Sequence, residues 1–255
     1  MNRITQFVLT DIFRNKIMIA YTALLAVFSW SAFTLENNSQ KGLLTLLNII
    51  LLTVPLVSVL FSTIYIYNSS EFIELLVSQP IKRGKIWFSI FTGLSISLAL
   101  AFLLGAGVPL LLYASIGMFG LVAGMGVLVS VAFTAIAFFS AIFTRDKAKG
   151  IGISVLLWLY FALLFDGLVL FLLFQFADYP IENAMVFITA LSPIDLARIL
   201  ILLQLDISAM MGYTGAIFKQ FFGTALGFSI SVLLLCLWTA IPFALSLYRF
   251  QHKDL

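Results

Sequence analysis

Apolar residues run along this chain in blocks of 19 to 28, separated by short polar stretches. Six blocks stand out: Ile17–Leu35, Gly42–Tyr67, Ile86–Tyr113, Ile116–Phe143, Ile151–Phe176 and Phe221–Tyr248. Each is long enough to cross a hydrocarbon core of ~30 Å as a helix rising ~1.5 Å per residue. The pattern never settles into the alternation of a transmembrane strand, which excludes a β-barrel. The expected fold is an all-α membrane protein of six transmembrane helices, a single domain over residues 1–255. The first block follows sixteen residues of mixed character, is too long for a signal-peptide core and lacks a small-residue cleavage site. It reads as a retained span.

Composition agrees: 62% of the residues are hydrophobic, 10% are charged and the mean hydropathy is +1.14, well outside the range of soluble globular domains. The single cysteine, Cys236, lies in the last block and has no intrachain partner, so it says nothing about redox compartment.

The cations orient the spans. Arg3, Arg14, Lys16, Lys82, Arg83, Lys85, Arg145, Lys147, Lys149, Arg249 and Lys253 fall on one side, and only Lys41, Arg198 and Lys219 on the other. By the positive-inside rule the first side is cytoplasmic and holds both termini, as in a multi-pass membrane protein. The net charge of +3 thus reflects topology, and no basic-aromatic motif points to nucleic acid.

Three cytoplasmic features break the apolar pattern. Residues 1–16 place Ile4, Phe7, Val8, Ile12 and Phe13 opposite Arg3, Gln6, Thr10 and Arg14, which predicts an amphipathic helix in the headgroup layer. Residues 68–85 carry a second helix. Ser69 or Ser70 can cap it, Glu71 and Glu74 suit its first turns, and Phe72, Leu75 and Leu76 give it an apolar face. Pro80 would end it before Lys82 and Arg83 return the chain to the membrane. The same residues fit a plain stop-transfer loop. The third feature is the turn Thr144–Gly150, TRDKAKG.

On the outer side, residues 177–220 form the longest connection. Within it Ser192 suits an N-cap, Pro193 the first helical position and Asp195 the third, and Asp195 and Arg198 can pair on one face. Such a helix could lie on the outer leaflet, support an external partner or plug the mouth of the bundle. Asp166 lies deep in the fifth block, where ionisation against lipid costs about 2.5 to 3.5 kcal/mol. It must face a helix, a cavity or a dimer seam, or stay protonated. Met118 and Met125, seven apart, and the adjacent Met210 and Met211 are thioethers that suit Cu(I). Without Cys-x-x-Cys or Met-x-x-Met strings, packing is the better account of them, and no metal site is assigned.

This layout resembles an ABC-2-type permease: an amphipathic elbow helix, six spans, and a cytoplasmic helix between spans two and three followed by "LLVSQPIKR". The resemblance implies that Glu71, Glu74, Leu75, Leu76, Pro80, Lys82 and Arg83 belong to a coupling helix seated in a separate ATPase. No G-x-x-x-x-G-K-[ST] loop occurs in the chain. ATP and magnesium would therefore be held by that partner, with no cofactor bound here and no catalysis by this chain. Six spans are half of such a transporter, which implies a homodimer or close heterodimer, and Gly120–Gly124 and Gly223–Gly227 offer small-residue faces for close helix approach.

Asp166 in span five and the outer Pro193, Asp195 and Arg198 resemble the permease type of the nitrous oxide reductase maturation transporter. That likeness implies a periplasmic β-helical partner touching Pro193, Asp195 and Arg198, and a role in copper or sulfur delivery for cluster assembly. Other readings stay open: an ABC-2 exporter of a lipid, peptide or antibiotic, and a proton-coupled secondary transporter using Asp166. An intramembrane enzyme lacks paired aspartates or a histidine cluster, since the one histidine, His252, sits near the C-terminus.

Overall fold

The computed structural model describes residues 2–36, 38–176, 182–205 and 222–252. Every regular element among them is helical. The short α1 (Asn2–Phe13) precedes span one, α2 (Lys16–Leu35), and span two, α3 (Ser39–Asn68). After the eight-residue α4 (Ser70–Val77), span three comprises α5 (Arg83–Phe102), a π-helical turn (Leu103–Gly107) and α6 (Val108–Tyr113). Span four is α7 (Ile116–Phe143). Span five comprises α8 (Lys147–Leu159), a π-helical turn (Tyr160–Leu164) and α9 (Phe165–Gln175). Two further helices, α10 (Glu182–Ala190) and α11 (Pro193–Gln204), precede span six, α12 (Ala225–His252).

The six spans fall where the apolar blocks predict, with starts and ends a few residues away. Side-chain caps account for several starts. Asn15, Asn38 and Asp146 accept backbone N–H bonds at the beginnings of α2, α3 and α8, satisfying donors that would otherwise be orphaned.

Span four is the axis of the bundle. Its apolar window is 72% buried, against 17% for span five and 22% for span six, so the last two spans lie at the periphery. α7 packs against α3, α5, α11 and α12. With no water to drive association between helices in lipid, packing and short polar contacts hold them. Ser58 and Ser130 hydroxyls meet at 2.9 Å between α3 and α7, and Thr63 and Ser154 at 2.7 Å between α3 and α8. Trp87 donates its Nε1 proton to Ser246 Oγ at 2.9 Å and stacks on Phe250, pinning α5 to α12.

The spans alternate between two ends. One end gathers α1, α4, the start of α5, the α7–α8 turn and the end of α12. The other gathers the α2–α3 and α6–α7 connections with the end of α11, where Ser39, Tyr113, Ser115, Gln204 and Leu205 line one cavity of about 300 Å³.

Candidate functional site

At the cation-rich end, α1 lies on span three. Val8 and Ile12 are fully buried, while Phe7 and Phe13 are 54% and 40% exposed, so only half of the expected apolar face is sheltered. Gly93 on α5 permits this seat, since a Cβ there would come 2.6 Å from Val8 Cγ1. Phe7 reaches sideways and stacks on Phe72 of α4, with ring centroids 5.0 Å apart.

The orientation of α4 differs from the expected one. Ile73 and Leu76 are buried in the bundle, with Phe72 and Val77 partly buried beside them. Leu75 is 65% exposed and points away with Glu71, and Glu74 is exposed as well. The spacing of Phe72 and Leu76 identified one edge of the seated face correctly, but Leu75 lies one residue, about 100°, outside it. The helix also ends at Val77, three residues before Pro80, where the Ser78 hydroxyl donates to the Leu75 carbonyl at 2.8 Å. Pro80 and Lys82 are exposed in the following turn, and Arg83 opens α5, partly buried. Ser69 is the N-cap residue but makes no side-chain cap bond.

Contacts that sequence reasoning missed tie α4 to the α7–α8 turn. Tyr67, just before α4, donates to the Thr144 carbonyl at 3.0 Å, and Lys147 Nζ donates to Asn68 Oδ1 at 2.7 Å. The Tyr67 ring fills the space beside Gly150 that any Cβ would occupy. A cavity of about 330 Å³ lies under α4, lined by Tyr67, Ile73, Glu74, Trp87, Arg145 and Phe250 among others.

Towards the other end, Asp166 has a partner that its sequence position did not reveal. Arg198 Nη1 donates to Asp166 Oδ1 at 3.0 Å and Oδ2 at 2.8 Å, and to Asp195 Oδ1 at 3.1 Å. The expected Asp195–Arg198 pair forms, and Asp166 joins it from 32 positions away. The π-helical turn just before Asp166 contributes to this: its added residue rotates the next turn by about 100° relative to an unbroken helix. A single carboxylate inside an apolar span, with Arg198 among only three cations assigned to the other side by the charge pattern, was the available signal.

α11 begins as its sequence predicts. Pro193 is its first residue, and Ser192 Oγ accepts from the Asp195 N–H at 3.2 Å. The helix does not lie on the surface, however. Pro193, Ile194, Asp195, Leu196, Ala197, Ile199, Leu200 and Ile201 are buried, and the helix packs on α7, α12, α10 and α3. Of the three residues expected to meet a periplasmic protein, Pro193 and Asp195 face inward and Arg198 is part-buried beside Asp166. Burial raises the Asp195 carboxyl to about 7. The nearby Asp166 pushes it the same way, and Arg198 and a hydrogen bond with Ser192 pull against this.

Met118 and Met125 pack in the hydrophobic core of α7. Met210 and Met211 lie outside the described residues. Among the described residues, no cluster of three or more His, Cys, Asp or Glu side chains could hold a metal ion. Gly120 and Gly124 have open space where their Cβ atoms would be, so that small-residue face is unused within one chain.

Residues 39–255 match the family described as ABC-2 family transporter protein. The chain belongs to the ABC-2 transporter family. It is also similar, at 26% identity over 270 residues, to a protein of Pseudomonas aeruginosa named "Probable ABC transporter permease protein NosY", covering 97% of this chain and 96% of that one. A protein of the same name from Stutzerimonas stutzeri is 26% identical over 268 residues, covering 96% and 95%. This ABC-2 chain is therefore a NosY-like permease subunit.

Proposed function

We propose that this permease is the membrane-spanning half of a transporter driven by a separate ATPase, which binds ATP and magnesium and docks on α4. One observation carries the reading: α4 is seated in the bundle through Ile73 and Leu76 while Glu71 and Leu75 face away from it and the exposed Glu74 borders the cavity beneath the helix. A short helix held on one side and joined at both ends to long spans can pass a push from a partner into α3 and α5. α1 is then an elbow helix, bound to the same device through Phe7 and Phe72. The cation-rich end is the cytoplasmic end, and the protein sits in a bacterial inner membrane as a homodimer.

The likeness to the NosY-named relatives supports a finer assignment: maturation of nitrous oxide reductase through a periplasmic β-helical partner that handles copper or sulfur. Pro193, Asp195 and Arg198 would serve that partner by fixing the seat of the outer segment. Their burial favours such an indirect role over direct contact.

The test is gentle solubilisation from the native membrane and identification of what co-purifies. An ATPase together with a periplasmic β-helical protein is the expected result. An ATPase alone points to an ABC-2 exporter of a lipid, peptide or antibiotic. A stable, active preparation with no ATPase overturns the proposal.

A further inference from the structure

One guanidinium nitrogen of Arg198 serves two carboxylates, those of Asp166 and Asp195. Two negative charges against one positive leave an excess charge at a place where charge is expensive. The geometry is also incomplete. Asp195 Oδ2 and Arg198 Nε are buried with no hydrogen-bond partner, and a buried polar atom left unpartnered is costly. The Asp195 and Asp166 carboxylates converge on the same Arg198 Nη1, at 3.1 Å for Asp195 Oδ1 and 2.8 Å for Asp166 Oδ2. One added proton on Asp195 neutralises the excess charge and turns its unpartnered Oδ2 into an O–H donor, while Arg198 Nε is left as it is.

We propose that Asp195, beside Asp166 and Arg198, is a proton-binding site, and that losing the proton loosens α11 from span five. The cluster lies where the outer half of span five has little other support, since Leu168, Leu170, Phe171 and Phe174 on α9 are all exposed. Among the described residues, the surrounding elements offer few competing charges. α7 carries no ionisable residue. α3 has Lys41 at its start and Tyr65 and Tyr67 near its far end, and the π-helical turn of span five has Tyr160. α10 has Glu182 at its first position, and α12 has Cys236, then Tyr248, Arg249 and His252 near its far end.

The direction follows from linkage. The closed arrangement binds the proton more tightly than an open one, in which Asp195 returns towards the ordinary carboxylate range. Closure is therefore strongest at low pH and weakens as pH rises to about 7, where Asp195 stands in the closed state.

The experiment uses the full-length permease in lipid nanodiscs without nucleotide, so its outcome is independent of any ATPase. Infrared difference spectroscopy across neutral pH reads the proton directly. A protonated-carboxyl band that titrates near neutrality, and is lost in Asp195→Asn, is expected. Hydrogen exchange of residues 193–204, corrected for its intrinsic pH dependence, reads the latch. Opening in the wild type should rise about tenfold per pH unit up to about pH 7 and then level off, while Asp195→Asn should be flat. If Asp195→Asn does not fold, Asp195→Glu should keep a titrating band displaced from the wild-type midpoint. A wild type with no titrating band, or with exchange in 193–204 that ignores pH, overturns the proposal in favour of a permanently charged structural pair.

Discussion

The Tyr67 hydroxyl donates to the Thr144 carbonyl at 3.0 Å, and its ring fills the hollow beside Gly150. The end of span two, the start of span five and the turn after span four are thus held together directly beside α4. In a NosY-like permease this places both polar turns of the cation-rich end on one rigid body. A displacement of α4 should reach α8 through Tyr67, and need not travel only along its own spans.

Replacing Gly150 with alanine should therefore destabilise the protein by about 1 to 3 kcal/mol, because the new Cβ collides with the partly buried Tyr67 ring. Tyr67→Ala should relieve part of that cost. A thermal-unfolding double-mutant cycle would show a coupling of at least about 0.5 kcal/mol, whereas strictly additive effects would mean that the two residues do not meet.

Within α4, Ile73→Ala should cost about 2 to 4 kcal/mol of stability, since Ile73 is 5% exposed and its removal leaves a cavity. Leu75→Ala, at an exposed position, should leave the unfolding midpoint nearly unchanged and weaken binding of the ATPase. Glu74→Lys should do the same through charge. Pull-down of the ATPase alongside thermal unfolding separates the two effects. Intact ATPase binding in both Leu75→Ala and Glu74→Lys would count against α4 as the docking helix.

Arg198→Leu should destabilise the outer end by about 1 to 3 kcal/mol. The full cost of breaking a buried pair, about 3 to 5 kcal/mol, is reduced because Asp166 and Arg198 keep 36% and 28% of their side chains exposed. Adding Asp166→Asn to Arg198→Leu removes the stranded charge and should recover a measurable part of the loss. Unfolding midpoints of the two variants compared in nanodiscs provide the check, and no recovery would show that the ion pair carries little of the energy.

Phe7→Ala removes a stacked pair worth about 0.5 to 1.5 kcal/mol beyond its area. Because Val8 and Ile12 still hold α1 to α5, the expected result is faster proteolysis near residues 2–13 with the spans intact. Unchanged cleavage would mean that α1 is held by α5 alone.

Much of this molecule could be read along the chain because bilayer thickness and backbone hydrogen bonding leave a long apolar run few options other than a spanning helix. The six spans, Pro193 at the start of α11, the Ser192 cap and the Asp195–Arg198 pair all depend on neighbours within a few residues. Periodicity and capping are local, so the sequence by itself determined them. What it left open depended on which helices lie side by side. Leu75 and Leu76 are equally apolar, and only the seat of α4 against the bundle decides that one is exposed and the other buried. Asp166 could not be matched with Arg198 across 32 residues, nor Tyr67 with Thr144 across 77, because loops and a π-helical turn set those approaches. The burial of α11 was decided at the same level: an amphipathic helix suits a membrane surface and a bundle interior equally well, and it is the open side of α7 that takes it in.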